Sequence, residues 1–169
     1  MRVAKRRFLT GAASLLVLLC IAVSYAANFG SSIVVRNDGG AEVYRYSLPG
    51  SGEFGIEYVH SYYEVSATEH FVARRDGGFE LVEVSSPSEA VLDYYEIEGR
   101  KSADSERTSL TLDEPSRFEE LPLIGTEKGE RTLGVSDERL PLFWGGGPRH
   151  VNIRVERDAF YSGLRGWFG

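Results

Sequence analysis

The sequence predicts a mostly β fold: a small antiparallel β-sandwich or open barrel with one short helix, preceded by an N-terminal hydrophobic export or anchor helix. Three observations predict this class. After residue 27, short apolar runs alternate with turns rich in Asn, Asp and Gly, which is typical of antiparallel strands. Only residues 86–99 combine a capping pattern with helical spacing. The single long apolar run lies at the N terminus, from Phe8 to about Ala26.

The N-terminal segment has the features of an export signal. Four cations and no acid precede the apolar run, whose length is near the ~20 residues that a helix needs to cross a bilayer. Ser24-Tyr25-Ala26 offers small residues for cleavage before Ala27. We therefore predict that residues 1–27 are a signal peptide or a signal-anchor. Residues 28–169 would be a single extracytoplasmic β-domain, either held at the membrane through residues 8–26 or secreted after cleavage.

The net charge argues against one class of partner, and the cysteine count excludes two kinds of covalent or metal site. The formal charge of the chain is −6, and loss of the four N-terminal cations would change it to −10. Such an acidic domain repels phosphate backbones, so we predict no nucleic-acid partner. Cys20 is the only cysteine, which excludes an intrachain disulfide and a cysteine metal cluster. We expect no cofactor and no bound metal.

The first half of the chain predicts a β-meander. Residues 33–35 and 43–46 flank the turn Asn-Asp-Gly-Gly and predict a hairpin. Further strands are predicted over 54–60, 67–73 and 79–84, with a glycine turn before the last of them.

A helix is predicted over residues 87–97. Ser86 can cap it, Pro87 suits its first position, Glu89 completes a capping box, and Gly99 can end it. Its inner face would carry Val91, Tyr94 and Tyr95; a strand with Leu92 and Tyr94 inward is the alternative. Beyond it we predict a polar loop with one short element over 101–120, followed by strands over 131–133, 140–144 and 151–155.

The stretch from Glu57 to Phe71, EYVHSYYEVSATEHF, holds most of the candidate chemistry. Side chains of a strand alternate between faces, so His60 shares the inner face with the apolar residues before it, and Glu69 shares the face of Phe71. If residues 61–66 form the loop, His60 lies opposite Ala67 and Glu69 opposite Tyr58. His60 and Glu69 would then be diagonal neighbours, roughly 7–8 Å apart at their α-carbons.

Several interpretations of this hairpin stay open. The inward pair could be a polar network that only fixes the strand register, or it could line a binding pocket with Tyr58, Ser61 and Tyr94. An exported hydrolase or metal-dependent enzyme using His60, Ser61 and Glu69 is the alternative function. Ser61 points away from His60 in an extended chain, and the histidine and carboxylate spacings match no standard ligand pattern. We therefore assign no catalytic residue.

The hairpin also resembles a family, the domain of unknown function 1850, in the motif Tyr58-Val59-His60-Ser61 with the later Glu69. A second likeness runs from Gly129 to Leu142. The resemblance covers roughly residues 41–155. It implies a small exported β protein encoded near TRAP transporters of the TAXI type, and the predicted partner is then a component of such a transporter or a small solute.

Two positions depart from the pattern of this family. Many members have a proline before the inward glutamate, where this chain has Ser66-Ala67. Many also have a glycine-containing turn after the third strand, where this chain has residues 85–89, Ser-Ser-Pro-Ser-Glu. These departures put a pocket built on that turn in doubt. The family assigns no activity, so the resemblance implies an extracytoplasmic accessory role near a solute transporter and offers no mechanism.

Overall fold

Residues 30–145 and 147–157 are described by a computed structural model, and they form one compact unit of two antiparallel sheets. The elements, numbered in chain order, are β1 (Ser31–Asn37), β2 (Glu42–Ser47), β3 (Glu53–Val59), β4 (Ser66–Ala73), β5 (Phe79–Ser86), α1 (Glu89–Tyr94), β6 (Gly99–Ala103), β7 (Thr108–Phe118), β8 (Leu121–Gly125), β9 (Thr132–Val135), β10 (Glu138–Pro141) and β11 (Arg149–Arg157).

The smaller sheet has the order β2-β1-β11-β8, and the larger has the order β10-β9-β3-β4-β5-β7-β6. The predicted hairpin β1–β2 is confirmed, as is the run of neighbours β3-β4-β5. The β1–β2 hairpin belongs to one sheet and β3-β4-β5 to the other, so the predicted single meander divides between two layers.

One hydrophobic core joins the two sheets. In β11 the residues Val151, Ile153 and Val155 are buried, which confirms the alternation read from the sequence. They share a cluster with Phe54 and Phe71 of the larger sheet, whose rings stack with centroids 5.1 Å apart. Two antiparallel layers that enclose a common apolar core are consistent with the β-sandwich predicted from the sequence.

The prediction of a polar loop over 101–120 is wrong, because this segment contributes β6 and β7 to the larger sheet. Only Leu110 and Leu112 of β7 are buried, while most of β6 is exposed at the edge of the sheet. A strand with so few inward apolar residues gives a weak alternating pattern.

Gly99, predicted to end the helix, instead begins β6, where a β-carbon would overlap the main-chain oxygen of Thr111. The predicted strand over 140–144 is observed earlier, as β10.

The predicted helix is present but shorter. It begins at Glu89 after the N-cap Ser88, whose side chain makes no capping hydrogen bond. Ser86 still belongs to β5, and its hydroxyl donates to the carbonyl of Ser66 at 2.9 Å and accepts from the amide of Ser88 at 3.2 Å. Successive helical residues lie about 100° apart, so the face centred on Val91 and Leu92 includes Tyr95 and leaves Tyr94 to one side. Val91 and Leu92 are buried, whereas Tyr94 is 64% exposed, so its predicted inward position is wrong.

The predicted signal or anchor, residues 1–27, lies outside the described residues. Within residues 30–157, Gly146 excepted, no helix combines the length and the apolar character required to cross a bilayer.

Candidate functional site

The candidate site lies at the end of the larger sheet where β3 and β4 are joined by residues 60–65. The main-chain amide of His60 donates to the carbonyl of Val65 at 2.9 Å, and the amide of Glu64 donates to the carbonyl of His60 at 2.8 Å. These bonds close the loop two residues earlier on β4 than the sequence predicted. Tyr58 therefore lies opposite Ala67, and Glu69 lies opposite Ile56.

The inward orientation of both strands is confirmed, but the proposed contact between His60 and Glu69 is wrong. A register shift of two residues keeps every side chain on its face, since the period of a strand is two. Ile56 and Ala67 are fully buried and His60 is only 7% exposed. The same shift places His60 beyond the last pair of the ladder, away from the diagonal position next to Glu69. The diagonal neighbour of Glu69 is Tyr58 instead.

Two tyrosine hydroxyls form a hydrogen-bonded chain that ends on Glu69. The hydroxyl of Tyr95, the residue that follows α1, donates to Oε1 of Glu69 at 2.7 Å. The hydroxyls of Tyr58 and Tyr95 are in close contact, so Tyr58 can donate to Tyr95 in turn. The guanidinium of Arg131 lies 5.2 Å from the centre of the Tyr58 ring. These four residues form a polar cluster, which we call the Glu69 cluster.

The surroundings of the Glu69 cluster shift the pKa values of its side chains. Removal of the Glu69 carboxyl group from water raises its pKa, and the hydrogen bond from Tyr95 together with the charge of Arg131 opposes this shift only partly. Burial and the nearby Glu69 also raise the pKa of the Tyr95 hydroxyl. Both shifts disfavour ionisation of Glu69 and Tyr95 relative to the free side chains, which suits a structural hydrogen-bond network better than a nucleophile.

His60 organises the loop above it. Its Nδ1 accepts the main-chain N–H groups of Tyr62 and Tyr63, at 3.3 and 3.4 Å. This arrangement requires an unprotonated Nδ1, so these hydrogen bonds assign the neutral ring's proton to Nε2. The imidazole also contacts the rings of Tyr63 and Tyr94, with centroids 5.2 and 4.9 Å away. His60 thus joins the loop to the end of α1.

Four rings in succession form what we call the aromatic row: Tyr62, Tyr63, His60 and Tyr94. Tyr62 and Tyr63 meet edge to face at 5.0 Å, which completes the series. Tyr62 is 78% exposed, Tyr63 is 36% exposed and Tyr94 is 64% exposed. The imidazole of His60, which lies between Tyr63 and Tyr94, is buried. Exposed tyrosines that are fixed in position are typical of protein-recognition surfaces.

The geometry weighs against a hydrolase or a metal centre here. Ser61 is exposed in the loop, and the lone pair of Nδ1 that could activate it is already occupied by amides. The hydrogen bonds of the described residues include none between Ser61 and His60, which a nucleophile and its base require. Among the same residues, no group of three or more His, Cys, Asp or Glu side chains is arranged to hold a metal ion.

A second histidine lies on the opposite face of the sheet. His70 follows the inward Glu69 on β4 and therefore faces outward, and its Nε2 is 3.1 Å from the hydroxyl of Ser85. It lines an open cleft of about 350 Å³ whose floor includes the paired glycines Gly55 and Gly134. Burial lowers the pKa of His70, although Glu83 partly opposes the shift. Ser85 itself is only 6% exposed, so a substrate has little access to it.

Sequence reasoning missed two members of the site. Tyr95, which the sequence placed on the inner face of the helix but not in the pocket, donates to Glu69, whereas Tyr94 contacts the ring of His60. Arg131 reaches the cluster because the carbonyl of Gly129, two residues before it, accepts a hydrogen bond from the amide of Val59 at 2.8 Å. A cation placed just before a strand gives no periodic signal in the sequence.

Comparisons with protein-family models, with curated proteins and with solved structures found no match. The likeness to the domain of unknown function 1850 stays a prediction.

Proposed function

We propose that this chain is an exported binding domain, an accessory protein of a TRAP-type solute uptake system, which contacts its partner through the aromatic row. The observation that carries this proposal is the exposure of three tyrosines around a buried histidine. The resemblance of the hairpin motif and the predicted N-terminal signal support the extracytoplasmic location and the transporter association.

The aromatic row is suited to binding because it is already ordered. Tyrosine offers a large contact area and loses few rotamers when it is immobilised. Here the main chain of Tyr62 and Tyr63 is hydrogen-bonded to His60, and Tyr94 packs edge to face on the same ring at 4.9 Å. Association would therefore lose little conformational entropy, and most of the free energy of desolvation would be available for binding.

Site-specific photocrosslinking in native membranes tests this function. The photoreactive residue benzoylphenylalanine replaces Tyr62 in one variant and Val43 in the control. Val43 is 40% exposed on β2, which belongs to the other sheet. We expect ultraviolet light to join the Tyr62 variant, but not the control, to a component of a TRAP-type transporter. Products that contain no transporter component, or equal products from both positions, would overturn the proposal.

A further inference from the structure

We propose that the aromatic row recognises a positively charged protein segment, one that presents arginine or lysine side chains to the tyrosines. This inference rests on the proposed function and deepens it by naming the chemistry of the partner.

Carboxylates dominate the surroundings of the aromatic row. The row is framed by three segments, residues 61–65, 93–98 and 126–131, which meet through the contacts of His60 with Tyr94 and of Val59 with Gly129. The segments contain two cations, Lys128 and Arg131, and six acidic residues: Glu64, Asp93, Glu96, Glu98, Glu127 and Glu130. Their combined formal charge is therefore −4.

Much of this negative charge is free to meet a partner. Lys128 lies 3.8 Å from Glu64, and Lys101 binds Asp93 at 2.5 Å, so these two carboxylates are partly compensated. In the part of the chain that the structure describes, the other four form no ion pair, and all of them are exposed: Glu96, Glu98, Glu127 and Glu130. A partner that buries the row must bring cations to balance them.

A cation–π contact between a tyrosine and an arginine already occurs at this end of the larger sheet. Arg131 lies over the ring of Tyr58, at 5.2 Å, next to the carboxyl group of Glu69. A guanidinium can bind an aromatic face and a carboxylate together, because it is planar and weakly hydrated. Among the described residues, no cation lies over the rings of the exposed tyrosines, which share the framing segments with the free glutamates.

The backbone at this end gives further support. Four non-glycine residues of the described chain have positive φ, and three are glutamates that lie one on each framing segment: Glu64, Glu96 and Glu130, at 54°, 52° and 47°. Glycine or asparagine would adopt this conformation at lower energy. Retaining a carboxylate at a costly position is consistent with a role in recognition.

Fluorescence anisotropy of a labelled peptide tests the inference. The probe is a ten-residue peptide of alternating arginine and glycine, titrated with the purified full chain; the comparison peptide has glutamate in place of arginine. We expect saturable binding of the arginine peptide alone. We also expect binding at least fivefold weaker in Tyr62→Ala and in the double variant Glu96→Lys/Glu130→Lys.

The control double variant is Asp137→Lys/Glu138→Lys. It changes the net charge by the same amount at exposed residues next to the far end of β9, and we expect less than a twofold effect. Three results would overturn the inference: no saturable binding of the arginine peptide, equal weakening by both double variants, or binding of the glutamate peptide. Failure here with a Tyr62 crosslink to a transporter component would leave the proposed function intact and exclude only the basic partner.

Discussion

The hydroxyl of Tyr95 donates a hydrogen bond of 2.7 Å to the carboxyl group of Glu69, and this bond connects the end of α1 to the centre of the larger sheet. The helix has only six residues and no capping side chain, so it depends on tertiary contacts of this kind. The aromatic row includes Tyr94, the neighbour of Tyr95 in the chain. The half-buried Glu69 cluster and the exposed aromatic row are therefore parts of one arrangement.

Removal of the Tyr95 hydroxyl should destabilise the fold. Tyr95→Phe leaves Glu69 and Tyr58 without their common partner, and we expect a loss of about 1–3 kcal/mol in the free energy of unfolding. Urea denaturation followed by circular dichroism measures it. Tyr94→Phe, which changes an exposed tyrosine on the same element, is the control. Equal stabilities of the two variants would show that the Tyr95 hydrogen bond contributes nothing.

Glu69 should make the protein less stable as pH rises. Its pKa in the folded state lies above the ordinary value of 4.5, so its contribution is complete below pH 4.5 and is lost as pH rises through the folded pKa. Glu69→Gln keeps an acceptor for Tyr95 and cannot ionise. We therefore expect the stability of the variant relative to wild type to increase between pH 4 and pH 7.

Melting temperatures at each pH for the wild type and Glu69→Gln give this difference directly. Because the two proteins share His70, whose lowered pKa acts in the opposite direction, its effect cancels in the comparison. Glu98→Gln, at an exposed carboxylate, should show no such trend. A difference between Glu69→Gln and wild type that does not change with pH would contradict the raised pKa.

Loss of the His60 imidazole should release the loop. His60→Ala removes a buried side chain and leaves two amides without their acceptor, and we expect a loss of about 2–5 kcal/mol. Thermal unfolding measures the loss, and hydrogen exchange at Tyr62 and Tyr63 should accelerate at the same time. Ser61→Ala, one residue away and exposed, should match wild type in both measurements.

Gly125 should tolerate no side chain. A β-carbon there would overlap the main-chain oxygen of Leu142, which cannot move aside as a flexible side chain can. We expect Gly125→Ala to cost about 3 kcal/mol in unfolding free energy. Gly50→Ala is the matched control, since no atom lies within 4 Å of its added β-carbon and its φ is not left-handed. Similar melting temperatures for both variants would show that the main chain near Leu142 relaxes.

The sequence was sufficient to predict which face each residue of the hairpin occupies, but not its register. Alternation placed His60 and Glu69 inward correctly, because parity does not change when strands slip by two residues. The register is determined by the loop, where His60 pairs with Val65. The choice between Tyr94 and Tyr95 depends on tertiary contacts of α1, which bury Val91 and Leu92. Such contacts leave no periodic pattern.

The way in which His60 supports its loop affects how far the side chains of that loop can be replaced. It holds the residues above it through their main-chain amides, which are the same whatever side chains follow. The side chains of Tyr62 and Glu64 project from a loop that is held by main-chain hydrogen bonds. As in the hypervariable loops of an antibody, this segment can be replaced to redirect specificity while the sandwich beneath stays unchanged. The hairpin is thus a natural starting scaffold for engineered binders.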